Sequence, residues 1–154
     1  MFDTPVDAWY AWLGLAAVSV ATLGVVLALP AAGPPSAASL AATVDQVATS
    51  EFRATGSVPV TAAAVSVGST RIAVRGPGGA SAAAYLARSV VPVDAGRLAG
   101  VLGGTPPREV FATPAAFREA LEAHRVSHPP WEPAPDRLRV RRVVWGEVDA
   151  TLVG

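Results

Sequence analysis

The residues best suited to chemistry are two histidines, a glycine-rich turn, a few acids on one helix and a cluster of arginines. His124 and His128 stand four apart, a ligand spacing where both lie on one helix. Pro129-Pro130 disfavours helix at His128, and no third ligand follows at a matching spacing. The GPGG at 76–79 lacks the lysine and the helix start of a phosphate-binding loop, so it reads as a hairpin turn. Glu119 and Glu122 share a helical stretch with Arg118 and Arg125. Glu122 falls four residues after Arg118, which describes a solvated ion-pair face. No GxSxG elbow is present. The chain contains no cysteine, which excludes disulfides, thiol catalysis and Cys-based metal sites. It contains no lysine either, which excludes Schiff-base chemistry and a P-loop lysine. The expectation is a non-enzymatic protein with no catalytic residues, no cofactor and no metal.

Arg137, Arg139, Arg141 and Arg142 form the densest charge in the chain. On a strand the first three project to one face. That face is either a charged surface that discourages edge pairing or a docking surface for an acidic partner or lipid headgroups. With Trp145-Gly146 as a turn, Arg142 would lie opposite Asp149 as a cross-strand ion pair. Over the whole chain twelve arginines balance twelve acids, so nothing indicates a general attraction to nucleic acid.

The elements that would carry these residues begin with an apolar segment. Ala8 to Leu29 are 22 residues without a charge. As a helix they would extend roughly 33 Å, enough for a hydrocarbon core of about 30 Å. Trp9, Tyr10 and Trp12 crowd the first turn, where amphipathic rings favour the membrane interface. Pro30, Pro34 and Pro35 would end the helix at the other side. The opening MFDTPVD holds two aspartates and no basic residue, and the apolar run exceeds a secretory h-region, so a retained anchor in contact with membrane lipid is expected. Gly14, Ala17, Ala21, Gly24 and Ala28 repeat at intervals of 3, 4, 3 and 4. Such a stripe lets helices approach closely in a bilayer, and would carry homo- or hetero-oligomer contacts.

Three regions follow: a transmembrane anchor over 1–30, a Pro-rich exit and amphipathic helix over 31–52, and a small α+β head over 53–154. About 125 residues beyond the apolar run suffice for one domain with its own core. Leu40, Val44, Val47 and Ala48 recur at helical spacing behind Ser36 as N-cap. Val65 and Val67, then Ile72 and Val74, alternate as strands about a Gly68-Ser69 turn. A third strand is expected over about 80–91. Asp94 can cap a helix carrying Leu98, Val101 and Leu102, stopped by Gly103-Gly104. Thr113-Pro114 starts another, with Phe117, Ala120, Leu121 and His124 on one face. WEPAPD reads as a linker. The tail closes with Val148, Ala150 and Leu152 alternating against Glu147, Asp149 and Thr151. The expected fold is thus α+β: a transmembrane helix, a short amphipathic helix, and a small, mostly antiparallel sheet with one or two helices.

The opening MFDTPVDAWYAWLGL and the ending RVRRVVWGEVDATLVG resemble an uncharacterised family of haloarchaeal membrane-anchored proteins. The architecture is also similar to type IV pilins, with an apolar N-terminal helix, an amphipathic continuation and a β-rich head. The resemblance implies association with type IV pilus or type II secretion-like subunits, and a head outside the cell on a single-pass anchor. A prepilin has a basic leader and a glutamate early in its apolar helix. Here the nearby acids are Asp3 and Asp7, before the run, so an accessory membrane subunit is expected over a filament-forming one.

Overall fold

A computed structural model describes residues 36–51, 53–125 and 128–154. The expected anchor, with Trp9, Tyr10, Trp12 and the stripe Gly14, Ala17, Ala21, Gly24 and Ala28, lies outside the described residues. Among the described residues, no helix is long and apolar enough to cross a membrane. They belong to one compact unit, Pro34–Gly154, with an α+β fold that is mostly antiparallel.

Helix α1 spans Ala37–Thr49. Ser36 caps it by accepting the Ser39 N–H at 3.2 Å, as its sequence position implied. Leu40, Val44 and Val47 fall on one stripe and are 3%, 0% and 7% exposed. The chain then forms β1 (Thr55–Pro59), β2 (Ala64–Val67), β3 (Arg71–Arg75), β4 (Ser81–Tyr85) and β5 (Val91–Pro92). Three helices follow: α2 (Gly96–Gly103), α3 (Pro107–Val110) and α4 (Pro114–Ala123). Strands β6 (Glu132–Pro133), β7 (Arg137–Trp145) and β8 (Val148–Val153) complete the fold.

The strands form two four-stranded sheets. The first has the order β1-β7-β8-β5, the second β4-β3-β2-β6. All pairs are antiparallel except β5 beside β8. Helix α1 packs against both sheets at once. Its stripe shares one core with Val65, Ile72 and Val74 of the second sheet and Leu138, Val140 and Val153 of the first. Gly56 of β1 permits this closeness, since a Cβ there would lie 2.8 Å from Val47 Cγ2. The first sheet is covered on its other face by α2 and α4. Leu98, Val101, Phe117 and Leu121 there meet Val143, Val148, Ala150 and Leu152.

Strand β7 shows how the two cores divide one sheet. Residues alternate between faces, so Leu138 and Val140 turn to α1 while Val143 and Trp145 turn to the helical layer. Burial changes face at Arg141-Arg142. The hairpin to β8 turns through Gly146-Glu147, one residue later than expected, because Trp145 is still paired with Val148. Gly146 has φ +60 and supplies the left-handed position that such a two-residue turn needs.

Other expectations require correction. The first hairpin turns at Ser69-Thr70 and not at Gly68-Ser69, since Gly68 N–H still donates to the Arg71 carbonyl (2.8 Å). The expected strand over 80–91 is broken. The chain leaves the second sheet after Tyr85, fixed by Ala87 N–H donating to Asp45 Oδ1 of α1 (2.9 Å), and enters the first sheet at Val91. Ala95, and not Asp94, is the N-cap of α2, while Asp94 Oδ1 accepts the Ala95 N–H. WEPAPD is more than a linker: Glu132-Pro133 adds to the edge of the second sheet beside β2, and Trp131 lies under the Arg75 guanidinium at 4.1 Å. GPGG forms the expected turn, with Gly76 N–H donating to the Ala80 carbonyl.

Candidate functional site

The arginines of β7 share a strand but do different work. Arg137 Nε donates to Ser57 Oγ of β1 at 2.9 Å. Arg139 is exposed, with no ion pair among the described residues. Arg141 is half-buried and turns inward, where its NH1 donates to the carbonyls of Val101 and, at 3.2 Å, Thr105. Those carbonyls close the C-terminal end of α2, where a cation also meets the favourable end of the helix dipole. The expected docking face of Arg137, Arg139 and Arg141 is therefore divided. All three occupy the same side of the strand, but the helical layer reaches only as far as Arg141 and takes its guanidinium into the fold.

Arg142, on the opposite face, makes the ion pair expected from the sequence. Its Nε and NH2 meet Asp149 Oδ1 and Oδ2 at 3.0 and 2.6 Å. The pairing is diagonal, since Arg142 stands opposite Thr151 and Asp149 opposite Val144. The fork geometry makes this a bidentate, charge-assisted contact. The hydrogen bond from Arg142 holds the Asp149 carboxyl below its ordinary value. Burial opposes the shift, and the charges of Arg142 and Arg88 add to it. The same hydrogen bond raises Arg142 above its ordinary value.

A cavity of about 100 Å³ opens between Arg53, the Pro106-Pro107-Arg108 corner and the Arg141–Trp145 end of β7. Arginines from three separate segments are among its lining residues, but the guanidinium of Arg142 turns away to Asp149, and Pro106, Pro107, Val143, Val144 and Trp145 give the cavity a mainly apolar wall. Strand β1 begins opposite Arg141, so β7 has an open edge beyond that point. Arg53 NH2 reaches across it to the Val144 carbonyl at 3.4 Å. Trp145 backs the cavity and is steadied by Phe117, with ring centroids 6.1 Å apart. Arg53 and Arg108 have no local signature in the sequence, because tertiary packing alone brings them to β7. The change of burial face at Arg141-Arg142 does not follow from the sequence reading, which puts Trp145 in the turn; its signal is the shift of apolar parity from Leu138 and Val140 to Val143 and Trp145.

A second, wider cleft of about 460 Å³ lies among β2, β6 and the end of α4, with Val65, Pro92, Pro130 and Pro133 in its walls and Asp94, His124 and Glu132 around it. His124 ends α4, and its Nδ1–H donates to the Ala120 carbonyl at 2.9 Å. His128 is exposed beyond the helix end. The two are not paired on one helix, and no group of three metal-ligating side chains occurs among the described residues. On α4, Glu122 pairs with Arg125 at 3.3 Å rather than with Arg118.

No match is found among curated proteins or among solved structures. One family model matches residues 3–143, so it covers the apolar run as well as most of the head. The chain belongs to that family of unknown function, DUF7283.

Proposed function

We propose that this chain is a single-pass membrane protein whose α+β head serves as a non-enzymatic structural or accessory component of a pilus-like or secretion assembly. The observation that carries this reading is the seating of α1. The apolar run ends at Leu29, and residues 30–36, with three prolines, lead directly to a helix buried between both sheets. Load on such a tether passes into the core of the head, as suits a structural subunit better than a flexibly tethered enzyme. The resemblance to pilins rests on the same order of apolar helix, amphipathic helix and β-rich head, and it is the basis for placing the head outside the cell. Exposed Arg137 and Arg139 offer contacts to an acidic partner subunit. The cleft of about 460 Å³ favours a second reading, a membrane-tethered domain that binds a small ligand.

The test is crosslinking of the full chain in native membranes, followed by mass spectrometry, after a carbonate wash. The protein should stay with the membrane and capture membrane subunits. Interhelical contacts in bilayers contribute about 0.6 kcal/mol on average and up to roughly 2. Ala21→Leu with Gly24→Leu should therefore lower the yield of partners partially, and Val20→Leu should not. Release by carbonate would end the anchor reading, and equal yields from the double substitution and Val20→Leu would remove the stripe from assembly.

A further inference from the structure

We infer that strand β4 is a docking edge for a second copy of this chain, whose own β4 adds to it antiparallel across a two-fold axis. A sheet edge offers unpaired main-chain groups to any extended partner, and folds blunt such edges with proline, charge or shortness. Three of the four edges of the two sheets are blunted. Strands β5 and β6 have two residues each, one of them a proline, Pro92 or Pro133. In β1, Ala54 C=O and Val60 N–H bond to the β7 side, so Pro59, which has no N–H, faces outward. The outward carbonyl of Ser57 lies under the Arg137 guanidinium at 3.5 Å. The stretch of β7 beyond β1 is bridged by Arg53 to the Val144 carbonyl. Strand β4, Ser81-Ala82-Ala83-Ala84-Tyr85, has five residues, no proline and no charge.

The ladder fixes which groups of β4 are open. At the two ends of its pairing with β3, Gly76 N–H donates to the Ala80 carbonyl and Leu86 N–H to that of Thr70. Main-chain groups alternate in direction along a strand. Ala82 and Ala84 therefore bond to β3, while Ser81, Ala83 and Tyr85 aim their N–H and C=O away from it. The side chains of these three are also exposed, whereas Ala82 and Ala84 pack against the core. The next outward donor, Ala87 N–H, is already taken by Asp45 Oδ1, which confines the open edge to β4. Tyr85 stands at its end, 80% exposed, more than any other large apolar side chain among the described residues.

The pattern and the charge of the edge select its occupant. A two-fold axis at Ala83 sets Ala83 against Ala83 and Ser81 against Tyr85, so every outward N–H meets an outward C=O. Each Tyr85 ring then stands opposite the small Ser81 side chain of the other copy. No charge in one strand faces a charge in the other. The twelve arginines of each chain are balanced by twelve acids, so two copies approach without net repulsion. A charged partner strand would bring its charges to an edge that holds no counter-charge. Pairing over so few residues buries less than a standard interface, so the contact is weak and reversible.

The chain has no cysteine, so introduced thiols report the register. The test uses the full chain in nonionic detergent micelles under mild oxidation, with disulfide-linked dimer followed on non-reducing gels. Facing residues of a hydrogen-bonded antiparallel pair have Cα atoms about 5.5 Å apart, within reach of a disulfide. Ala83→Cys should link to itself about tenfold or more faster than Gly78→Cys, which lies in the exposed turn of the same hairpin. Ser81→Cys alone and Tyr85→Cys alone should not link, because equivalent positions stand roughly 13 Å apart along the strands. A mixture of the two should link each to the other. Ala83→Lys in both members of that mixture sets like charges opposite each other and should slow linking roughly two- to fivefold. All these positions are exposed, and unchanged melting temperatures would verify folding; if Ala83→Cys does not fold, the mixture decides. Association through the membrane segment alone, or pairing of β4 with an unlike strand, would give no preference for Ala83 or for the mixture. That result, self-linking of Ser81→Cys as fast as the mixture links, or no slowing by Ala83→Lys would overturn the assignment.

Discussion

Gly56 gives the sharpest test of how α1 is seated. On an open strand, Gly→Ala stabilises by about 0.5–1 kcal/mol, because alanine loses less backbone freedom on folding. At this position the new methyl would stand 2.8 Å from Val47 Cγ2, closer than packed carbons approach. Val47 is 7% exposed and β-branched within a helix, so it has essentially one rotamer and little room to yield. Overpacking of this kind costs about 1–3 kcal/mol, which exceeds the backbone gain. Gly56→Ala should therefore destabilise the head by roughly 0.5–2 kcal/mol. Val47→Ala removes the opposing methyl and costs roughly 1.5–3 kcal/mol by itself through reduced burial. In that background Gly56→Ala meets no obstacle and should turn neutral or stabilising. The coupling between the two sites is then the relieved overpacking, about 1–3 kcal/mol, above the scatter of independent sites. Urea unfolding of the full chain in micelles, followed by tryptophan fluorescence, measures all four corners of the cycle. Additive effects, or a single Gly56→Ala variant more stable than the parent, would refute the close approach of α1 to β1.

Two further outcomes follow from the ion pair and the capping of α4. Asp149 has a carboxyl held below its ordinary 3.8, so the stability it contributes is present above that value and is lost as pH falls through the lowered one. Asp149→Asn should melt below the parent at pH 6, and the gap should close as both are taken below pH 3.8; a gap that does not change with pH would refute the ionic origin. Thr113 accepts the Ala116 N–H at 3.2 Å, so Thr113→Ala should cost about 1 kcal/mol, or roughly 3–5 °C in melting temperature. Thr113→Ser should restore most of it, and equal melting of Ala and Ser variants would show that the hydroxyl is not the cap.

Elements whose signal is local were legible in the sequence. Helices α1 and α4 each combine a capping side chain with apolar residues at helical spacing, and both sit where Ser36 and Thr113 place them. The hairpins were legible to within one residue, because glycine marks a turn but the strand ladder decides which residues remain paired. The division into two sheets was not legible. Residues 80–91 read as one strand because no glycine or proline interrupts them, and the departure is fixed by distant partners: Ala87 N–H donates to Asp45 Oδ1, 42 positions earlier, and Val90 N–H donates to the Ser69 carbonyl. Strand β6 was missed because two residues with a proline carry no alternation, and the pairing with Ala64 and Val65 is entirely tertiary. The same reason hid the cavity: Arg53 and Arg108 lie far from β7 in sequence, and their convergence depends on where β1 begins and where α2 ends.

The arginine pair of β7 acquires its meaning from that geography. A strand in the middle of a sheet that is covered on both faces would normally read as continuously apolar. Here each face is covered over a different part of the strand, α1 lying over Leu138 and Val140 and the helical layer over Val143 and Trp145. Arg141-Arg142 occupy the crossover, where each side chain emerges from beneath one layer beside the edge of the other. Arg141 can then close the end of α2, and Arg142 can reach diagonally to Asp149, without either charge being sealed in the core. A strand rises about 3.3 Å per residue, so Arg142 stands only about 7 Å along β7 from Val140. The strand that supports α1 is thus also the strand that closes the end of α2. Replacing Arg141 by an apolar residue would therefore not simply extend the core: it would take the side-chain donor from the Thr105 carbonyl and leave the Val101 carbonyl with the Gly104 N–H alone, at the junction that both layers share.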